Sequence, residues 1–251
     1  LNALLTLLFL DTVPQIQVDE SLLHKVELSW ITPYAESVVA KHARVSTKNP
    51  DRDEYTRLLE YCIQHGHWSV FEQVCASFEI VTTRAISPQI LRHRSFTFQE
   101  TSQRYCDPLD VLEQVAPDCS AFELRSQDLK NRQNSFQFED DSTEELFRKR
   151  IEELFESSRE LYDDMLSANV AKECARNVLL MCSPTRLHMT GTLRSWIFYV
   201  GLRGNVGTQQ EHRQIALGIG DYLADLLPVI STAVMEAAHS GTSGLEGWQY
   251  I

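Results

Sequence analysis

The chain has 251 residues, 23 Lys+Arg against 35 Asp+Glu, and a 43% hydrophobic composition. That length suits one large domain with a buried core, and a net charge of −12 argues against a protein that coats nucleic acid through a broad basic surface. The longest apolar run, residues 4–10, falls far short of the ~20 residues of a membrane-spanning helix, so no membrane segment is expected. This run lacks the basic residues that precede a secretion signal, and Asp11 and Pro14 follow it, so residues 1–17 read as a leader outside the core. Six Cys without a CxxC pair, in a chain this long, fit a reducing, cytoplasmic setting.

Residues 25–30 alternate polar and apolar and predict a short strand. Helices are predicted over 33–44 and 54–64, the second closed by His65 and a capping Gly66. Residues 74–81, apolar and partly β-branched, are the best strand in the chain, and Pro88 suits the first turn of a short helix over 88–94. Residues 107–141 hold two prolines and many polar residues with little periodicity, and read as either a lid or a solvated insertion. Ser142 and Glu145 form a capping-box pattern ahead of a long helix, with Phe147, Ile151, Leu154, Leu161 and Met165 on one face. A strand over 186–193 and helices over 195–202 and 209–227 follow, the last with Ile215, Ile219, Tyr222 and Leu226 on one side. Residues 239–251 read as a tail. The expected class is α/β of the α+β kind, a mixed sheet packed with long helices in one domain over residues 18–238.

Four of the 23 basic residues fall within residues 84–104, and His93 lies among them. Local positive charge in an acidic chain suggests a pocket for a phosphorylated small molecule, because the planar donor fork of Arg matches phosphate oxygens. Ser102 and Thr97 could add hydroxyl donors, and Glu100 could fix the arginines or accept from a base or ribose. Charge clustering alone fits a solvated helix end equally well.

The spacing is more specific: Arg92-His93-Arg94, seven residues, Ser102, one residue, Arg104. This resembles the signature of the flavin-dependent thymidylate synthases, as do Ala43-Arg44-Val45-Ser46 and the segment from Gly66 to Glu72. Gln89, Ala175-Arg176, Thr192-Leu193-Arg194 and Leu202-Arg203 fall in the family's order, so the likeness runs from about residue 26 to 228. The resemblance implies an enzyme that converts dUMP to dTMP, with methylenetetrahydrofolate as carbon donor and NADPH as reductant through FAD. It implies a homotetramer whose sites draw on several copies. Gln89, Arg92, Glu100, Ser102, Gln103, Arg104 and Arg176 would surround dUMP, with Arg203 at the uracil ring as the catalytic group. His67, Ser69, Arg92, His93, Arg94, Glu100, Thr192 and Arg194 would hold FAD. No Cys is preceded by Pro and followed by His, so the signature of the other thymidylate synthase class is missing. Thr192 and Phe198 stand where the family often has Asn, Gly207 where many members have His, and Gln99 where Asn is common.

Other readings compete. His65 and His67 could share a metal ion, although no further ligand set accompanies them and no metal is expected. Ser102 with His93 could be a hydrolytic pair, without the G-x-S-x-G elbow that would expose the serine. The departures at Thr192, Phe198 and Gly207 leave room for a flavin- and nucleotide-binding protein of the same fold with impaired turnover.

Overall fold

The computed structural model describes residues 24–48, 52–107, 122–132, 134–138, 140–241 and 244–251. The expected leader, residues 1–17, lies outside these, as do residues 108–121 of the expected lid. Four strands form one sheet in the order β1-β2-β6-β3: β1 Lys25–Ile31, β2 Cys75–Thr83, β3 Phe96–Glu100 and β6 Pro184–Thr192. Each neighbouring pair is antiparallel. The α+β class holds, and the sheet is antiparallel throughout.

β2 sits centrally and is buried along nearly its whole length, as a strand covered on both faces must be. Its buried hydroxyls are paired: Thr190 Oγ1 donates to Ser77 Oγ at 2.8 Å, and Thr82 Oγ1 lies 2.9 Å from His24 Nδ1. Helices α1 (Ala35–Ala43) and α2 (Thr56–Gln64) follow β1. After α2, Gly66 adopts φ +68°, Gly66 N–H donates to Ile63 O and His67 N–H to Cys62 O. This two-bond closure, which a side chain at Gly66 would strain, turns the chain sharply at His67.

Several boundaries differ from expectation. The short helix α3 is Ser87–Ile90, so residues 91–94 are not helical. Within the expected lid, β4 Arg125–Gln127 and β5 Ser135–Gln137 pair as a hairpin. The long helix α4 is Asp141–Ser167, and its N-cap is Asp140 rather than Ser142. The Asp140 carboxylate accepts from Ser142 N and from the hydroxyls of Ser142 and Thr143. A carboxylate at a helix N-terminus answers both the open N–H groups and the helix dipole, which a serine hydroxyl does only in part. The apolar face of α4 is largely uncovered: Phe147, Leu154 and Leu161 are exposed, and Tyr162 is the side chain driven into the protein.

Helix α5 (Lys172–Ala175) precedes β6, and α6 (Leu193–Arg203), α7 (Gln210–Leu226) and α8 (Pro228–His239) follow it. The sequence reading missed α8 because its small residues Ser231, Ala233, Ala237 and Ala238, all buried, dilute the apolar period. The C-terminal segment is not a peripheral tail. Leu245 and Trp248 are buried in the main core, and Trp248 Nε1 donates to Ile197 O at 2.9 Å. A Cβ at Gly201 would stand 2.2 Å from Gly244 O, so the end of the chain lies backbone against backbone on α6. Among the described residues no helix is long and apolar enough to cross a membrane.

Trp248→Ala should therefore cost about 3–5 kcal/mol of unfolding free energy in urea, as for a buried aromatic. A loss under about 0.5 kcal/mol, the surface value, would return residues 245–251 to the periphery.

Candidate active site at the two ends of an edge strand

The signature motif is draped over β3, which is an edge of the sheet. β3 binds β6 with Phe96 opposite Gly191 and Glu100 opposite Leu187. The absence of a side chain at Gly191 permits this register, since a Cβ there would lie 2.4 Å from the Phe96 ring. Phe96 is anchored edge-on to Trp196, with ring centroids 4.6 Å apart. Strand rise puts Phe96 and Glu100 about 13 Å apart. The motif's two halves thus lie at opposite ends of the sheet.

At the first end stand Arg92, His93 and Arg94. Arg92 and Arg94 are exposed, with no side-chain partner among the described residues. The last residue of β6, Thr192, caps α6 by accepting from Ser195 N at 3.3 Å, which spends its hydroxyl on the helix. Arg194, in the first turn of α6, pairs with Glu72. At the other end of α6, Arg203 Nε donates to His93 Nε2 at 2.9 Å. The rings of His93 and Tyr199 meet edge to face at 4.9 Å, and the Tyr199 hydroxyl lies 3.0 Å from His212 Nε2. His67 and Ser69 are exposed on the short 3-10 segment and the turn before it. Ser69 lines an open groove of about 520 Å³ with His42, Val45 and Gln73.

The second end is organised by Glu100. Its Oε1 accepts from Ser87 Oγ at 2.5 Å and Thr185 Oγ1 at 2.9 Å, and pairs with Arg84 Nη1 at 3.0 Å. Three donors on one oxygen fix the carboxylate and leave Oε2 for another partner. Ser102, Gln103 and Arg104 follow, Arg104 pairing with Glu173 at 3.2 Å with both side chains more than half exposed. Glu173 lies in α5, which leads into Arg176. Gln89 is turned elsewhere: its Nε2 donates to Gln209 Oε1 at 2.7 Å.

The structure therefore sorts the predicted residues into two groups. Arg92, His93, Arg94, Thr192, Arg194 and Arg203 gather at one end of β3, and Glu100, Ser102, Gln103, Arg104 and Arg176 at the other. A cavity of about 380 Å³ borders the Glu100 end, lined by Ile86, which precedes Ser87, and by Gln209, the partner of Gln89, with Phe122, Ile151, Met181 and Glu211 among others. His65 stacks on Tyr61 at 4.0 Å and stands 6.2 Å from His67, ring centre to ring centre.

Sequence reasoning missed Tyr199, His212, Ser87, Thr185 and Glu211. His212 was legible in part, because it precedes Ile215 and Ile219 on the same helical face. Glu211 is 2.6 Å from Arg125, a close and little-exposed ion pair that ties the hairpin to α7. Nothing local in the sequence signals that long-range pairing.

Burial and the nearby Arg203 charge hold His93 at about 4, and burial, Arg203 and His93 hold His212 at about 3, against an ordinary value of 6.5. The unfolded chain takes up both protons near pH 6.5, and the folded chain does not until well below. Stability from these two groups is complete above pH 6.5 and is lost as pH falls toward 4. Urea midpoints measured across this range should show it. His212→Leu should remove about one proton from the uptake on unfolding, and an unchanged slope would contradict a neutral, buried His212.

Comparison with known proteins bears on these groups. The model of the family described as "Thymidylate synthase complementing protein" matches residues 27–229. A flavin-dependent thymidylate synthase from Synechocystis sp. is 45% identical over 199 residues, 79% of this chain and 89% of that protein. A probable flavin-dependent thymidylate synthase from Paramecium bursaria Chlorella virus 1 is 41% identical over 202 residues, 80% of this chain and 90% of that one. In fold, the chain is similar to the UMP/dUMP methylase PolB from Streptomyces cacaoi, bound with 5-Br dUMP. The TM-score is 0.71 at 24% identity, over 85% of this chain and 95% of that one. With a match that spans both ends of β3 and runs on through α7, the chain belongs to the thymidylate synthase complementing protein family.

Proposed function

We propose that this protein is a flavin-dependent thymidylate synthase, an FAD-dependent methyltransferase that makes dTMP from dUMP with methylenetetrahydrofolate and NADPH. The observation that carries the reading is the meeting of the motif's His93 with Arg203 from α6, which leaves the guanidinium's terminal nitrogens without a partner among the described residues.

The donor set fits a flavin dinucleotide. Arg92 and Arg94 are unpaired cations that suit a pyrophosphate, and His67, Ser69 and His93 offer polar edges nearby in sequence and fold. FAD, when bound, supplies the hydride that reduces the transferred carbon. The protein's own work is placement and charge. Arg203 acts as an electrostatic partner for negative charge developing on the pyrimidine, as an arginine guanidinium does, and moves no proton. Thr192, its hydroxyl engaged in the cap, positions α6 and hence Arg203.

Ser102, Arg104 and Arg176 form the phosphate end of the nucleotide site. The exposed Arg104–Glu173 pair is worth little in water and exchanges readily for a phosphate. Glu100, braced by Arg84, Ser87 and Thr185, offers its free oxygen to a ribose hydroxyl. The two ends lie about 13 Å apart along β3, and a second copy that brings its phosphate end to the first copy's flavin end completes one site. We propose a homotetramer on that ground, supported by the open edge of β3 and the uncovered face of α4 with Leu146, Phe147, Leu154 and Leu161 exposed. Residues 18–238 with the packed C-terminal segment would work as one catalytic unit. Cys62, Cys75, Cys106, Cys174 and Cys182 form no disulfide among the described residues, which suits the cytoplasm.

Purified protein should show flavin absorbance that shifts on addition of dUMP, and should form dTMP with NADPH and the folate. Binding of both ligands without product would defeat the reading. Arg203→Ala should lower kcat by about 10²–10³ with FAD retained, the loss typical of a charge-stabilising donor. Arg104→Ala should weaken dUMP binding by about 1.5–3 kcal/mol for a lost charged hydrogen bond, and unchanged affinity would remove Arg104 from the site. Sedimentation should show an assembly; a lone 28.8 kDa species would contradict the shared site.

A further inference from the structure

Where the five donors of Arg203 point decides what the residue can do. Its Nε is committed to His93 Nε2. To accept there, His93 must be neutral and carry its proton on Nδ1. A charged His93 would offer no lone pair and would set a second cation beside Arg203. The His93 ring therefore has to be held in one orientation and one tautomer.

Two residues outside the motif do the holding. Tyr199, 2% exposed, packs its ring edge-on against His93, with an interplanar angle of 79°. Its hydroxyl meets His212, which is wholly buried. Among the described residues this is the hydroxyl's partner; the roles depend on the His212 tautomer, and where the phenol donates, the imidazole carries its own proton on Nδ1. That Nδ1 is buried with no hydrogen-bond partner. A buried unpaired donor is destabilising, and an apolar residue at 212 would continue the buried face of Ile215 and Ile219 without that cost. Packing alone does not account for a Tyr–His pair here; support of the His93 ring does.

We infer that Tyr199 and His212 are positioning residues for Arg203: a buried Tyr199–His212 pair fixes the His93 ring, which takes up the Arg203 Nε and leaves both terminal nitrogens for the pyrimidine. This rests on the reading of Arg203 as the uracil-facing group. The column consists of neutral groups apart from Arg203 itself, since burial pushes the Tyr199 phenol well above its ordinary value and keeps both imidazoles uncharged. The guanidinium is thus oriented by a hydrogen bond and ring packing, and its charge is not cancelled by a carboxylate.

The test uses full-length protein labelled with ¹⁵N at histidine and arginine, as wild type, Tyr199→Phe, His212→Leu and the double variant. The double variant removes both polar partners together and keeps the interior apolar, so it folds even if a single variant does not. In unliganded wild type, His93 should show the Nδ1–H tautomer and Arg203 a resolved, slowly exchanging Nε–H. In the variants that proton should exchange at least about tenfold faster. With FAD, dUMP, NADPH and the folate present, kcat should fall about tenfold while the dUMP dissociation constant stays within about threefold, as expected when a reacting group is slightly misplaced. Folded variants with wild-type exchange and kcat, whatever their melting temperature, would overturn the inference, as would an Nε2–H tautomer at His93 in wild type. If wild type itself makes no dTMP, the synthase reading fails, and the exchange data on unliganded protein still decide the positioning role.

Discussion

The unbroken pairing of β6 is the constraint on which the rest of the molecule depends. All nine of its residues pair with β2 in one register, and residues 187–191 pair with β3 on the other side. A slip of one residue would turn every side chain to the opposite face. It would also place a Cβ under the Phe96 ring, where only Gly191 leaves room. With Phe96 locked over Gly191, the turn that carries His93 has one place to go. The same register carries Thr101 to Arg186, where its N–H and hydroxyl both reach Arg186 O. Steric exclusion at one glycine and nine paired residues thus set the positions of both halves of the motif.

β6 also passes directly into α6, which delivers Arg203. Thr192 is at once the last strand residue and the helix cap. Trp196 Nε1 donates to Ala76 O at 3.1 Å, tying the helix to β2. One to two turns beyond Trp196, Gly201 and Gly204 lie against the backbone of residues 244–247, an approach too close for any side chain. Arg203 is therefore clamped between the sheet and the C-terminal segment. The core turns a long-range coincidence, 110 residues apart in the chain, into a 2.9 Å hydrogen bond.

How much of this was legible depends on the range of each interaction. Local signals were reliable: the strand at β2, the closure at Gly66 and the face of α7 each arise from neighbours within a turn or two. The cap of α4 lies two residues before the expected one because the capping-box spacing points to Ser142 and Glu145, whereas the carboxylate of Asp140 answers both the open N–H groups and the helix dipole. Glycine-rich composition made residues 239–251 look like a tail. In the fold those glycines are what allow the chain to press against α6. At the site, spacing gave the motif, yet it gave no sign that β3 would pull the motif's halves apart. Glu100 looked like a ligand contact and is first a structural hub, since Ser87 and Thr185 come from elements far from it in sequence.

The departures from the family pattern can be weighed in the same terms. Phe198 packs edge-on to Trp68 at 4.9 Å and beside Gly244. It substitutes apolar packing for a polar contact and leaves the Arg203–His93 bond in place. Thr192 keeps a hydroxyl that caps α6, a role Asn fills equally well. At Gly207 a Cβ would meet nothing closer than Asn205 Oδ1 at 3.5 Å, so the fold imposes no glycine there. None of the three positions touches the hydrogen bond that orients Arg203 or the donors gathered on Glu100. A loss of turnover would have to arise at the ligand contacts themselves. Of the three departures only Thr192 belongs to the two groups that set charge and orientation, and it keeps the cap on α6, which favours an active enzyme over a relic that merely binds.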